Sequence, residues 1–418
     1  MHKAPVVIVA VLATVSGGAT PVAAFHRQTP PIVRLTSSGE NTLPRAAARR
    51  LTVSVDPMHL DPNGYFAPPP TFLFGPTTTS VVRQDWVPKE IQLVGNGTNP
   101  TSSVNGRAVA FEGDCSMFVC AGGDAGQQVF LWQDGNLTQV THDSTGTSTN
   151  PVLDGRGELL AFESRGDLTG TGASGAPQIF LATIGPPGSD PSLRQVTQGS
   201  GTSQNAALSS SGATLVFEST NDDQGNDTGI SQIWLASTRL VGGAPTEITA
   251  GAAPSVSPSI SSDGRILVFE STAAVAGDGH DTSVSQVFTY DTRTRTLAQL
   301  TDDPAGCSRP SVDLARRDWR VVFVCHGTAF FQLLAAQERF KLPIPDGADT
   351  AQALAMGTRA NFMTVSTTAD LTGGAPVAQQ PAAGTTSEHQ LYILNIFKLP
   401  AIPIESPPTA SPASAVAR

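Results

Sequence analysis

The sequence is poor in charge, and poorest in lysine. Only 14% of its 418 residues are Asp, Glu, Lys or Arg. The lysines are Lys3, Lys89, Lys341 and Lys398 alone. Phosphate recognition needs clustered Lys and Arg, so this composition, with a formal net charge of −10, argues against nucleic acid as a partner. Long apolar runs are also missing. Val6–Val15 is too short to cross a bilayer comfortably, and no later segment reaches that length. Catalytic signatures are missing too. There is no Gly-x-Ser-x-Gly elbow, no His-Glu-x-x-His and no phosphate-binding glycine loop. His26, His59, His142, His280, His326 and His389 share no motif. A pair of carboxylates for glycoside chemistry stays open, because their separation is spatial and not written in sequence.

What is abundant is Gly (40) and Pro (32), with Ser and Thr. That is the composition of many short strands joined by tight turns. One stretch organises the rest. Leu159-Leu160-Ala161-Phe162-Glu163-Ser164 returns as Leu215-Val216-Phe217-Glu218-Ser219 and as Leu267-Val268-Phe269-Glu270-Ser271. Weaker copies surround Phe111 and Phe323. A recurrence about every 50 residues marks a repeat architecture.

Each unit has the same grammar. A Ser/Pro-rich approach leads to a turn at Asn105-Gly106, Arg156-Gly157, Ser211-Gly212 or Asp263-Gly264, where Gly supplies the positive φ of a hairpin turn. In the fifth unit this position is Arg317-Asp318, so its turn must be built differently. The Phe strand follows, then a Gly/Asp-rich loop. A third strand starts at Gln128, Gln178, Gln232 or Gln286, with later copies at Gln332 and Gln390. A fourth, such as Leu297-Ala298-Gln299-Leu300-Thr301, closes the unit. In the last two units Phe340-Lys341-Leu342-Pro343 and Phe397-Lys398-Leu399-Pro400 take its place. In the sixth unit Phe362 or Thr364 holds the Phe position.

Six Gln-led strands give six units of four antiparallel strands. Such units bury both faces only when stacked around a ring. The expected fold is therefore all-β, a six-bladed β-propeller over residues 96–404. Residues 1–24 read as an export signal, with Val22-Ala23-Ala24 before the cleavage point; an uncleaved anchor is the rival reading. No Cys follows the apolar run, which argues against a lipoprotein anchor. Residues 25–95 read as an irregular, Pro-rich extension with strands at Leu51–Val55 and Glu90–Val94, the latter expected to close the ring against the last blade. Residues 405–418 read as a disordered Pro/Ala/Ser tail.

These motifs resemble the exported propeller repeats of the bacterial TolB type, also described as WD-repeat-like. Ser261-Ser262-Asp263-Gly264-Arg265-Ile266-Leu267-Val268-Phe269-Glu270-Ser271 is the nearest copy, and the resemblance covers residues 97–400. It implies a propeller in the periplasm or outside the cell. TolB pairs its propeller with an N-terminal α/β domain and acts in an envelope complex. The Pro-rich N-terminal part of this chain does not match that domain.

The candidate site residues each have a plain alternative. Glu112, Glu163, Glu218 and Glu270 form either a cation-binding ring or a set of structural anchors, bonded to the Gln of the adjacent strand or to backbone amides. The anchor reading is preferred, because a buried carboxylate needs a partner. Phe111, Phe162, Phe217, Phe269 and Phe323, with Gln128, Gln178, Gln232, Gln286 and Gln390, read as structural repeat positions. Asp222, Asp223, Asp227, Asp278 and Asp281, with His280, are oxygen-rich loop residues that suit calcium or plain turns. No other cofactor is implied. Cys115, Cys120, Cys307 and Cys325 are even in number in an exported chain, which favours disulfides. Proximity suggests Cys115–Cys120 and Cys307–Cys325, among three formal pairings, with a zinc site as rival. The expected function is non-enzymatic binding of a protein or glycan at one face of the ring. The alternative is a propeller-type hydrolase or lyase acting on polysaccharide or peptide at the axis. Oligomeric state is not legible.

Overall fold

The computed structural model describes residues 91–344, except 105, 116–119, 121–123, 144–146, 173–174, 240–242, 277–282, 316–317 and 343. Outside that range it describes the strands Ala10–Val11, Ile32–Arg34, Thr42–Ala46, Arg50–Val55, Ser80–Asp85, Ala353–Met356, Phe362–Thr367, Gln390–Asn395 and Ile402–Pro403. Among the described residues every regular element is a strand.

Five antiparallel sheets follow one another along the chain. The first holds Thr98–Ser102, Ala108–Asp114, Gln127–Gln133 and Asn136–Gln139. The second holds Ser148–Leu153, Leu159–Ser164, Gln178–Thr183 and Ser192–Gln195. The third holds Ser203–Leu208, Thr214–Asn221, Asp227–Ser237 and Thr246–Glu247. The fourth holds Ser255–Ile260, Ile266–Ser271, Gln286–Asp291 and Thr296–Gln299. The fifth holds Cys307–Ala315, Asp318–Cys325, Thr328–Leu333 and Glu338–Lys341, with Ile402–Pro403 added at its outer edge.

Two sheets flank these five. Thr42–Ala46, Arg50–Val55, Ser80–Asp85 and Ile91–Asn96 pair in that order, with Ala10–Val11 at the far edge. Ala353–Met356, Phe362–Thr367 and Gln390–Asn395 pair in order, with Ile32–Arg34 added outside. The sheet order therefore does not reproduce the six blades expected from the Gln-led strands. Part of the stretch read as an irregular extension is a four-stranded unit, and its prolines fall largely between Arg50–Val55 and Ser80–Asp85. The expected closing strand at Glu90–Val94 also behaves differently. Ile91–Asn96 pairs with Ser80–Asp85, and it is Ile32–Arg34 that lies along Gln390–Asn395.

First strands of successive sheets lie side by side, from Thr98–Ser102 to Cys307–Ala315. Ala353–Met356 continues the series, touching Cys307–Ala315 on one side and Thr42–Ala46 on the other, and Thr42–Ala46 touches Thr98–Ser102. The core lies between sheets and follows the two-residue alternation of the Phe strands. Leu160, Phe162 and Phe180 face back onto Ala108, Ala110, Val129 and Leu131 of the first sheet. Ala161, Ile179 and Leu181 face forward onto Leu215, Phe217 and Trp234 of the third. Val216 and Ile233 in turn meet Leu267, Phe269 and Phe288. Each sheet thus offers an aromatic face to the one before it and an aliphatic face to the one after.

The repeat phenylalanines are all but completely buried. Phe162 lies opposite Phe180 and Phe269 opposite Phe288, with ring centroids 5.8 and 5.7 Å apart. Phe111 and Phe323 stack on Phe130 and Phe330 in the same way, both at 5.9 Å. In the third sheet Trp234 stands opposite Phe217.

Register corrects two assignments. In the fifth sheet Thr328, not Gln332, lies opposite Cys325, where the other sheets place their Gln; a short turn displaces Gln332 further along the strand. In the last sheet Gln390 lies opposite Thr367, which puts Val365, opposite Tyr392, at the Phe position. Neither Phe362 nor Thr364 holds it. Truncating a repeat phenylalanine removes a large buried ring from a two-sheet interface. F162A is expected to cost about 3–5 kcal/mol in chemical denaturation, whereas a cost under about 1 kcal/mol would show that the interface repacks.

Candidate functional site

The recurrent acids form one connected belt along the first strands. Each first strand has a bulge near its start, and the residue in it is left-handed: Asn99, Asn150, Asn205, Ser257 and Arg309 have φ between 48° and 57°. Asn tolerates that conformation better than most residues. The bulge turns the residue's N–H out of its own ladder and toward the preceding sheet. Asn150 N donates to Glu112 Oε1 at 2.7 Å and Asn205 N to Glu163 Oε1 at 2.7 Å. Ser257 N donates to Glu218 Oε1 at 2.5 Å and Arg309 N to Glu270 Oε1 at 2.7 Å.

The asparagine side chains complete the link. Nδ2 of Asn99, Asn150 and Asn205 donates at 2.9 Å to the Glu of its own sheet, namely Glu112, Glu163 and Glu218. Each of these carboxylates thus joins a side chain of its own sheet to the backbone of the next. The sequence reading expected an anchor on the neighbouring Gln or on backbone amides; the recurrent backbone link crosses to the next sheet. The donors were legible in hindsight from spacing, since each Asn precedes its Glu by 13 residues.

The Gln side chains have a different task. Nε2 of Gln178 donates to Gly201 O at 2.8 Å, and Oε1 accepts from Thr197 Oγ1 at 2.8 Å. Gln128 pairs with Thr141, Gln232 with Thr249 and Gln286 with Thr301 in the same manner. Each threonine hydroxyl in turn accepts a backbone N–H from the residue after the Gln. The cycle locks the chain leaving the fourth strand onto the third. Of Gln390 only the strand position is described.

Burial acts on the belt. Desolvation pushes the Glu163 carboxyl up to about 6; the Asn205 N–H and the Asn150 side chain oppose the shift, and the charges of Glu218 and Glu112 add to it. Burial likewise raises Glu218, against the bonds from Ser257, Asn205 and Gln204. A folded-state value above the unfolded one means that the folded chain holds the proton more tightly. Glu163 therefore favours folding fully below about pH 4.5, and that contribution is lost as pH rises through about 6. The difference is roughly 2 kcal/mol.

Among the calcium candidates, Asp222 and Asp227 take part in turn hydrogen bonds. Asp222 accepts from the backbone N–H of Gln224 and Asn226 and from Asn226 Nδ2, closing a turn. Asp227 accepts from Gly229 N at 3.0 Å. Both carboxyls are held below their usual range, Asp222 first by the Asn226 side chain and Asp227 first by Thr220. Asp223 is exposed at the tip. Asp278, His280 and Asp281 lie outside the described residues.

Cys115–Cys120 and Cys307–Cys325 are both disulfides. Asp303, Cys307 and Cys325 lie close together, but sulfurs bonded to each other supply no thiolate for a metal. His142 Nδ1 meets Asp124 Oδ2 at 3.0 Å on the surface. Among the described residues no helix is long and apolar enough to cross a membrane.

No family model matches the sequence, and no curated protein matches it. Solved structures do match. The β-propeller domain of the trilobed protease from Pyrococcus furiosus aligns over 80% of this chain and 90% of its own, with 8% identity and a TM-score of 0.52. A structure from a study of two prolyl endopeptidases aligns over 89% of this chain, at 11% identity and a TM-score of 0.51. This chain covers 52% of that one, about half its length. A TolB-type protein from Agrobacterium tumefaciens aligns over 65% of this chain and 87% of its own, with 14% identity and a TM-score of 0.40. The chain has a β-propeller fold. At these identities the likeness extends to fold alone.

The belt yields a measurable pH effect. Glu163→Gln keeps an oxygen for both N–H donors while removing the buried charge. Its stability relative to the native chain is expected to be more favourable at pH 7.5 than at pH 4.5 by roughly 2 kcal/mol, read from urea unfolding at both pH values. A difference that does not change with pH would contradict the buried-carboxylate account.

Proposed function

We propose that this chain is an exported, non-enzymatic propeller that binds another macromolecule, an envelope or extracellular protein or glycan, at one end of its ring. The observation that carries this reading is the division of labour between repeat and loops. The repeated Glu and Gln side chains are engaged within the fold. What differs between sheets is the connection from second to third strand: residues 115–126, 165–177, 222–226, 272–285 and 326–327. These unequal loops leave the sheets at the same end. The first carries Cys115–Cys120. In the second, Asp167 accepts from the N–H groups of Thr171 and Gly172, closing a turn over 167–172. A preformed loop spends less ordering entropy on binding.

The ring itself we read as seven-bladed, counting the two flanking sheets. The aromatic face of the first sheet supports this. Val109, Phe111, Phe130 and Trp132 are buried, and Thr42–Ala46 and Arg50–Val55 both contact Thr98–Ser102 of the same sheet. Ile32–Arg34 beside Gln390–Asn395 then joins the two ends of the chain. Export accords with two disulfides and with the apolar leader, residues 1–24. Cleavage would remove Ala10–Val11 and leave the N-terminal sheet with four strands.

The test uses the mature chain from residue 25 and a variant whose residues 165–177 are replaced by a two-residue turn like His326-Gly327. The native chain is expected to capture a partner from its envelope fraction saturably. The loop variant should lose that capture while its melting temperature stays within a few degrees. Failure to capture any partner, together with turnover of a glycan or peptide library by the native chain, would overturn the reading in favour of the hydrolase or lyase alternative.

A further inference from the structure

The fifth sheet departs from the other four at nearly every device that holds them. Its second strand has Val324 where the others have Glu, opposite Ser308. Thr328 stands where they have Gln. Arg309 fills the left-handed position taken elsewhere by Asn or Ser. The carboxylate belt reaches this sheet through Glu270 and Arg309 N, and Val324 offers no carboxylate to hand it on toward Ala353–Met356.

One position in the sheet gains a bond instead. In the second, third and fourth sheets the residue after the Glu is a serine directly opposite a serine of the first strand. Ser148 and Ser164, Ser203 and Ser219, and Ser255 and Ser271 meet hydroxyl to hydroxyl at 3.0, 2.9 and 2.9 Å. Cys307 and Cys325 occupy this same register in the fifth sheet, with Cα atoms 4.1 Å apart. The backbone repeats the match. Ser203 N donates to Pro177 O, just before Gln178, and Cys307 N donates to Ser285 O, just before Gln286. Both cysteines are buried.

We propose that Cys307–Cys325 is the covalent counterpart of the serine pair and acts as a redox-controlled latch on the one sheet of the five between Thr98 and Lys341 that lacks the carboxylate clasp to its successor. A dithiol passes two electrons and two protons to the disulfide. The S–S bond breaks, both cysteines become thiols, and the dithiol leaves as a cyclic disulfide. A thiol pair makes only a weak hydrogen bond, so the reduced sheet loses what the serine pairs give its neighbours. Its opening loosens the ring between Cys307–Ala315 and Ala353–Met356 while the second and third sheets stay closed.

Hydrogen exchange read by mass spectrometry tests this on the full chain, in a C115S/C120S background that leaves one disulfide. Treatment with dithiothreitol is expected to speed exchange in peptides spanning 307–341 by at least about tenfold, with peptides spanning 148–208 unchanged. Adding C307S/C325S, which installs the serine pair of the other sheets, should give protection close to that of the oxidised chain, with or without the dithiol. Adding C307A/C325A should give the exchange of the reduced chain. Equal exchange in the Ser and Ala variants would overturn the proposal, even where the buried disulfide resists the reductant. So would acceleration spread evenly over all sheets.

Discussion

The ring depends on a buried carboxylate that accepts an N–H from the next sheet. Such a group is costly, because burial removes water from a charge. Glu163 offsets this with two donors at one oxygen, the Asn205 amide and the Asn150 side chain. The amide is free to donate because residue 205 is left-handed and sits in a bulge, outside its own ladder. Bulge, left-handed residue and carboxylate therefore form one device in three parts. Repeated from Glu112 to Arg309, it makes the position of each sheet conditional on the one before, the nearest-neighbour logic of repeat proteins.

A second set of links runs past the other end of the first strands. Val104 N donates to Gly155 O, Gly155 N to Ser210 O and Ser210 N to Ser262 O, and Ser262 N ends on Asp313 Oδ1. Between these two belts the sheets meet mainly through apolar side chains, the aromatic face of one sheet against the aliphatic face of the last, with Thr101 and Ser259 hydroxyls accepting from Leu153 N and Val312 N. Polar bonds at both ends fix how sheets are rotated against each other, and burial between them supplies the attraction. Neither task leaves the repeat residues spare for a ligand, so the functional surface is sought in the connections.

Much of this was legible because side-chain identity repeats wherever a side chain does the work. Phe162, Phe217 and Phe269 fill the same interface, and Gln178, Gln232 and Gln286 close the same cycle with a threonine. The left-handed positions were missed for the opposite reason. What recurs at Asn150, Asn205, Ser257 and Arg309 is the sign of φ, and the side chain is free to vary. Gln332 misled because the two-residue turn at His326-Gly327 shifts the third strand against the pattern. The sheet at Thr42–Asn96 carries none of the marker residues, and the prolines between its strands hid it. The aspartates at 222 and 227 suit a cation or a turn alike in sequence, because Asp also closes turns by accepting neighbouring N–H groups, as Asp222 and Asp227 both do. The disulfide pairing followed from proximity; its equivalence to the serine pairs needed register.

The central claim is that the amides in the bulges are bonded to carboxylates of the preceding sheet. Native-state hydrogen exchange of the Asn205 amide, followed by nuclear magnetic resonance, tests it most directly. An amide in a bulge with no ladder partner would ordinarily exchange quickly. The account expects Asn205 to be as protected as the centre of its own second strand, and to lose that protection in E163A. Rapid exchange at Asn205 in the native chain would contradict it.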